Sequence, residues 1–296
     1  MTSPSKSFSE SVLRAVRGIL PRAVYFKVSA IWDWASAARV LGPRHTIRLR
    51  AVHVRSRSQK PREPISVSAS NLQFPFWLRP GSSDVPEFLY TIARESYGKY
   101  LPRPPVEFIL DLGANIGDTA AWFLSRFPDA RLVAVEPDAE NFAVLQRNAE
   151  GYAGRIILER AAVWPYSTTL TFVDQQASDA VQVRDAEGGE CSAVTVPQLM
   201  RKYAWPRIDL LKCDIEGAEK ELFSMNADEW LAKTNFLVVE THGPECLQAV
   251  LDAVTRHGFE HRCFRNLHIF RRERQVARAR APERVGVGQV RVAQRS

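Results

Sequence analysis

The sequence predicts an α/β protein with a doubly wound, mostly parallel sheet, and three observations carry that prediction. From residue 107 onward, short apolar runs alternate with helical patterns, as in successive βαβ units. The apolar runs are continuous rather than alternating, as strands buried on both faces are. The first of them, Phe108-Ile109-Leu110-Asp111-Leu112, turns at once through Gly113-Ala114-Asn115-Ile116-Gly117-Asp118. Two glycines there permit a tight strand-to-helix turn and a close approach of a ligand to the backbone, beside the free N–H groups of a helix N-terminus. This is the shape of a site for a nucleotide-type cofactor, at the carboxyl ends of the strands.

The elements follow in order. Residues 1–10 are rich in serine and read as disordered. From Ser11 to Leu41 the pattern is helical and broken at Pro21, with Val12, Val16 and Ile19, then Val24, Val28, Ile31 and Trp32, recurring on one face. Residues 43–70 contain the alternation Thr46-Ile47-Arg48-Leu49-Arg50-Ala51-Val52-His53-Val54, which predicts one or two strands. A helix is expected over 86–97, then a stiff connector at Leu101-Pro102-Arg103-Pro104-Pro105. Strands are expected near 107–111, 131–135, 155–159, 207–213 and 235–240, and helices near 117–127, 138–150, 195–204, 217–224 and 244–257. Phe259–Phe264 and Leu267–Phe270 flank Arg265-Asn266 as a hairpin. The Arg-rich tail after 271 reads as disordered. These features divide the chain into a basic extension (1–70), a catalytic-type domain (71–271) and a tail (272–296).

Charge is divided in the same way. Residues 1–60 hold 12 Lys/Arg against 2 Asp/Glu, and residues 271–296 hold 8 Arg against 2 Glu. With a net charge of +7 overall, the middle of the chain is left at −9. Basic ends suggest contact with something anionic, and the basic N-terminal helices suggest peripheral contact with a membrane. The four cysteines, Cys191, Cys213, Cys246 and Cys263, form no C-x-x-C pair, so zinc and a disulfide framework are not expected and a reducing cytoplasm fits. No signal peptide is evident, and no apolar run reaches the roughly 18 residues of a membrane span.

Chemistry concentrates at the strand ends. The turn reads G-A-N-I-G, with Asn115 where a dinucleotide fold needs a second glycine for its pyrophosphate, so a cofactor without a pyrophosphate fits better than NAD. Leu132-Val133-Ala134-Val135-Glu136-Pro137 ends a second strand in a carboxylate that can hold both hydroxyls of a ribose. The third block, Ile208-Asp209-Leu210-Leu211-Lys212-Cys213-Asp214-Ile215-Glu216-Gly217-Ala218-Glu219, gathers Lys212, Asp214, Glu216 and Glu219 at one strand end, where they can face a substrate. The fourth, Phe236 to Gly243, ends in Glu240 and His242, two residues that share a face if the extended backbone continues.

These blocks, D-L-G-A-N-I-G (111–117), V-E-P-D-A-E-N-F (135–142), I-D-L-L-K-C-D-I-E-G-A-E (208–219) and V-V-E-T-H (238–242), resemble the FkbM family of S-adenosylmethionine-dependent methyltransferases. The resemblance covers roughly 79–270, including R-P-G-S-S-D at 79–84; Cys213 stands where a branched aliphatic residue is commoner. It implies a Rossmann-like class I methyltransferase fold, with seven strands and a C-terminal antiparallel hairpin. It also implies S-adenosylmethionine as cofactor and methylation of a hydroxyl, often on a sugar in a glycan or a sugar-bearing small molecule. The expected cofactor-binding residues are Asp111, Gly113, Ala114, Asn115, Gly117, Glu136, Pro137, Ala162, Val163 and Asp214. Candidates for the base that deprotonates the acceptor are Asp214, Glu240 and His242, of which His242 has the ordinary pKa best suited to neutral pH. No metal is predicted, although clustered acids can hold Mg²⁺. The alternatives are a methyltransferase of nucleic acid or protein, and a non-catalytic cofactor-binding module. A nucleic-acid partner is not expected, because the basic charge lies outside the fold and no RNA-binding motif is present.

Overall fold

Continuous apolar runs become the central strands of a computed structural model that describes residues 22–58, 63–98, 100–103, 105–173, 182–185, 188–264 and 266–272. The strands are β1 (Ile65–Val67), β2 (Phe76–Leu78), β3 (Phe108–Leu112), β4 (Arg131–Val135), β5 (Ile156–Glu159), β6 (Ala162–Val163), β7 (Thr169–Val173), β8 (Gln182–Asp185), β9 (Cys191–Val194), β10 (Leu210–Cys213), β11 (Phe236–Glu240), β12 (Phe259–Phe264) and β13 (Leu267–Arg272). The α-helices are α1 (Arg22–Leu41), α2 (Pro43–Ser56), α3 (Asp84–Phe88), α4 (Asp118–Arg126), α5 (Ala139–Ala149), α6 (Val196–Lys202), α7 (Glu219–Ser224), α8 (Asp228–Leu231) and α9 (Pro244–Thr255).

Seven strands form the main sheet in the order β12-β13-β11-β10-β3-β4-β5. Its neighbours are parallel except for β13, which runs antiparallel to both β11 and β12. The expected doubly wound sheet with a terminal hairpin is therefore present. Successive residues of a strand serve opposite faces: Ile109, Leu132 and Val238 pack with α4 and α5, while Leu110, Val133 and Leu237 pack with α7 and α9. Both faces being buried explains why these strands read as unbroken apolar runs.

Three local readings need correction. The alternation at 46–54 is not a strand but most of α2, which starts with Pro43 in its first turn. Its buried side chains are Thr46, Leu49 and His53, spaced three and four apart. The helix expected over 86–97 is the short α3, continued by a π-helical turn at Leu89–Ala93. The stripe expected on α1 does not all face inward, since Ile31 is 71% exposed and Ser36, Ala37 and Leu41 are buried instead. Within 43–70 the strand present is β1, while its antiparallel partner β2 and a small four-stranded sheet, β6-β9-β7-β8, were not anticipated. The segments expected at 1–21 and 273–296, and Arg265 of the hairpin turn, lie outside the described residues.

Candidate active site

Register lines up the ends of five parallel strands. Leu112 pairs with Val135 on one side and Cys213 on the other, so Gly113 is flanked by Glu136 and Asp214. Cys213 pairs with Val239, which sets Asp214 beside Glu240. Gly113 has φ 73° and Gly117 φ 88°, and Asn115 between them takes φ 48°, a left-handed conformation that asparagine tolerates. At Gly113 a Cβ would lie 1.8 Å from the Asp214 carbonyl oxygen, so only glycine lets the two strand ends meet. The turn is pinned from outside by hydrogen bonds from Gly113 N–H (3.0 Å) and Ala114 N–H (2.9 Å) to the Val135 carbonyl.

A crevice open to solvent lies over these ends. Of the residues expected to bind a cofactor, Gly113, Asn115, Glu136, Pro137, Ala162, Val163 and Asp214 line it. Asp111, Ala114 and Gly117 do not. Asp111 is fully buried one pair back in β3, where its Oδ2 accepts from Thr119 Oγ1 at 2.8 Å. Ala114 is enclosed as well, and Gly117 packs against Leu145. Glu216, expected to face substrate, lines it too, and the sequence reading missed the rest of the lining, Val135, Asn141, Ala161, Val183, Ile215 and Ala218. Val183 comes from β8 of the small sheet, an element with no signal in the strand-end pattern.

Glu136 is 4% exposed and each of its oxygens accepts one backbone N–H: Oε2 from Asn115 at 2.8 Å, Oε1 from Asp138 at 3.0 Å. Burial pushes its carboxyl up to about 7, against the two backbone bonds that favour the ion. Each oxygen keeps acceptor capacity for a further donor.

Lys212 and Glu219, expected to face substrate, are enclosed. The Lys212 ammonium lies 3.4 Å from Asp111 Oδ1 and 3.7 Å from Asp214 Oδ2, and donates to the Gly113 carbonyl. Burial opposes its charge, but Asp111, Asp214 and Asp118 outweigh burial and raise its pKa. It braces the turn from beneath. Burial in turn raises Asp111 to about 6, a rise that Lys212 limits. Glu219 has no exposed surface and accepts from the N–H groups of Ile215 (3.1 Å) and Gly217 (3.1 Å). Its Oε1 also lies 3.1 Å from His242 Nδ1.

The other ring nitrogen of His242, Nε2, lies 3.1 Å from Glu216 Oε2 and 3.8 Å from Asp214 Oδ1. The ring is half-buried, which works against its charge, yet Glu219, Glu216 and Asp214 raise its pKa to about 9. His242 is therefore a cation at neutral pH rather than a ready base. Burial and then Asp214 push Glu240 up to about 7, while the Asn266 amide donates to its Oε1. Glu240 thus titrates where His242 was expected to. Ligand-type atoms of Asp214, Glu216 and His242 lie within 4.8 Å of one another, a spacing that admits one cation.

A further carboxylate arrives from outside the strand-end pattern. Burial raises the half-buried Glu87 of α3 to about 8, helped by Asp118, Asp214 and Glu240. The turn after α3 docks on the first residue of α4, where Thr91 hydrogen-bonds Asp118. The lead-in is tied down by Arg79, whose Nε and Nη2 each lie 2.9 Å from an oxygen of the buried Asp84. Arg79 Nη2 also donates to Asn141 Oδ1 at 2.6 Å, joining this segment to the crevice wall.

Strand order, glycine turn and the acids along one sheet edge define the class I methyltransferase type of α/β fold. The chain belongs to the methyltransferase FkbM domain family, whose model matches residues 111–261. Among characterised proteins it is similar to the AMB antimetabolite synthetase AmbE of Pseudomonas aeruginosa, at 28% identity over 53% of this chain and 10% of that protein. It is also similar to the 2-O-methyltransferase NoeI of Sinorhizobium fredii, at 26% identity over 50% of this chain and 71% of that one. A crystal structure of a methyltransferase FkbM from Methylobacillus flagellatus KT matches with TM-score 0.41 and 16% identity, covering 63% of this chain and 53% of that chain. The chain thus spans a tenth of AmbE and about half of the M. flagellatus protein.

Proposed function

We propose that this chain is an S-adenosylmethionine-dependent O-methyltransferase whose acceptor is a sugar hydroxyl, in a glycan, a glycolipid or a glycosylated small molecule. The observation that carries the reading is Glu136, an enclosed carboxylate with a free acceptor position on each oxygen at the rim of a crevice walled by a glycine turn. Two adjacent ribose hydroxyls are the donors that such a carboxylate suits. Gly113 and Asn115 line the side of the crevice that we assign to the methionine part, and Ala162, Val163 and Val183 offer an apolar wall for adenine. Asp214, which also lines the crevice, is the residue we assign to the cofactor's amino group. The acidic edge also suits a sulfonium cation. The reading draws further support from family membership and from the similarity to NoeI, a protein named as a 2-O-methyltransferase.

Bound S-adenosylmethionine would supply an electrophilic methyl group on a good leaving group, so much of the protein's work is alignment. The remaining task is removal of the acceptor's proton. Glu240, raised to about 7, is the residue we assign to it, because a base works best when its pKa lies near the operating pH. Cationic His242, fixed by Glu219, holds Glu216 and the neighbouring Asp214 and keeps their charge from driving Glu240 still higher.

Calorimetric titration with S-adenosylmethionine and with S-adenosylhomocysteine tests the cofactor. Release of S-adenosylhomocysteine in the presence of sugar-hydroxyl acceptors tests the reaction. Binding without turnover across a broad acceptor panel that includes RNA and protein would leave a cofactor-binding module, and turnover on RNA alone would replace the sugar.

A further inference from the structure

Helix α2 carries two faces of different purpose. Thr46, Leu49 and His53 point into the protein. About 130° round the helix, at 100° per residue, lie Ile47, Ala51 and Val54, spaced four and three apart. Ile47 is 70% exposed and Val54 56%, and both belong to the small set of large hydrophobic side chains that the described residues leave in solvent. Ile31 of the packed neighbour α1, at 71%, is a third. Next to the strip on the same outward side stand Arg44, Arg48 and Arg55, all exposed. Helix α2 contains no acidic residue, and the single acid of α1, Asp33, is already paired with Arg94 at 2.8 Å.

An outward apolar strip flanked by arginines, with no acid on the helix, has little to gain from water alone. We infer that α2 is an interfacial helix that docks the protein on an anionic lipid bilayer, with Ile47 and Val54 entering the headgroup boundary and Arg44, Arg48 and Arg55 reaching the lipid phosphates. Arginine stems run along apolar surface while their heads stay with phosphate, which is the arrangement an amphipathic interfacial helix uses. Charge complementarity selects this occupant. A second copy meeting α2 with α2 would set the arginines of each against those of the other. Nucleic acid offers phosphates but no place for the apolar strip. Among the described residues no helix is long and apolar enough to cross a membrane, so the contact is peripheral.

The docked face connects to the crevice. His53 Nδ1 accepts the Gly81 N–H at 3.0 Å, and Gly81 lies so close to Ser56 that a Cβ would come within 2.5 Å of its carbonyl oxygen. Two residues before Gly81, Arg79 holds Asn141 of the crevice wall. The side of α2 turned away from the bilayer is thus tied to the crevice wall through Gly81 and Arg79. Docking itself stands on the surface of α2 and does not depend on the methyl-transfer reading.

The test is vesicle flotation of the full chain with phosphatidylcholine alone and with one-quarter phosphatidylglycerol. Three proteins are compared: the wild type, Ile47→Glu/Val54→Glu, and Arg44→Ala/Arg48→Ala/Arg55→Ala. The wild type is expected to float with the anionic vesicles, less at high salt, and not with the neutral ones. The arginine triple variant should lose about a hundredfold in partitioning, at about fivefold per arginine. The glutamate pair should lose tenfold or more, since it removes both apolar anchors and adds charge of the wrong sign. All five positions are largely exposed, so circular-dichroism melting should be unchanged and a loss of binding is not a loss of fold. Equal flotation of wild type and glutamate pair overturns the inference, as does absence of flotation. So does concentration-dependent dimerisation through α2, or RNA binding that the glutamate pair leaves intact.

Discussion

His242 Nδ1 lies 3.1 Å from Oε1 of Glu219, a carboxylate with no exposed surface that is itself fixed by two backbone N–H groups. The pair sets both the orientation of the imidazole and its charge. Removing the carboxylate charge with Glu219→Gln should lower the His242 pKa from about 9 by more than one unit, as read by NMR titration of the imidazole. An unchanged titration would mean that Glu216 and Asp214 alone hold the proton.

The same shift makes stability depend on pH. A histidine raised from 6.5 to about 9 contributes stability that is fully present below 6.5 and lost as pH rises through 9. Glu240, raised from 4.5 to about 7, and Glu87, raised from 4.5 to about 8, bind protons more tightly in the folded state, so stability also falls as pH rises from 4.5 through these values. All three act in one direction. The thermal midpoint of the ligand-free protein should therefore fall from slightly acid to slightly alkaline pH, and His242→Ala should flatten the alkaline part of the fall. A midpoint that rises over this range contradicts the assigned environments.

Cofactor affinity should rise with pH through about 7. A ribose donates two hydrogen bonds, and the ionised Glu136 accepts both whereas the protonated form accepts less well. Titration calorimetry across this range reads the effect directly. Glu136→Gln should bind S-adenosylmethionine roughly tenfold to a hundredfold more weakly, with the pH dependence gone. If the variant keeps the pH dependence, another group governs binding.

Turnover should follow Glu240. Glu240→Gln should lower kcat about a hundredfold or more, with cofactor affinity largely kept. The acid limb of the pH–rate profile, expected near pH 7, should disappear with it. Retention of that limb in Glu240→Gln would pass the role to Glu87.

The central strands were legible because burial on both faces forces unbroken apolar runs, and Arg131–Val135 matches its expected range. The strand-end acids were legible for a related reason, since a charge directly after such a run stands out. The misreading at 46–54 has a physical cause: α2 buries Thr46 and His53, polar residues that a hydrophobic pattern counts as outward. Thr46 Oγ1 is satisfied by the Gly42 carbonyl at 3.0 Å, and His53 accepts from Gly81. Meanwhile Ile47 and Val54, which the pattern counts as inward, are exposed. The small sheet escaped notice because strands such as Thr169–Val173 and Cys191–Val194 are short and mixed in polarity. Val183 and Glu87 were missed for want of any local mark; they reach the site only through tertiary packing.

Lys212 offers the sharpest test of how the turn is held. Its ammonium sits between buried Asp111 and half-buried Asp214 and donates to the Gly113 carbonyl, with 5% of the side chain exposed. Taking away one partner of a buried pair leaves a charge with nothing to balance it, so Lys212→Met should cost about 3–5 kcal/mol in urea unfolding. Adding Asp111→Asn removes the stranded charge, while its amide can still accept from Thr119 through the oxygen. The double variant should therefore be more stable than Lys212→Met alone, and the cycle should show a coupling of more than about 1 kcal/mol. Strict additivity would mean that Lys212 serves Gly113 and Asp214 rather than Asp111. Because the brace holds the carbonyl of Gly113, the double variant should regain stability without regaining full cofactor affinity.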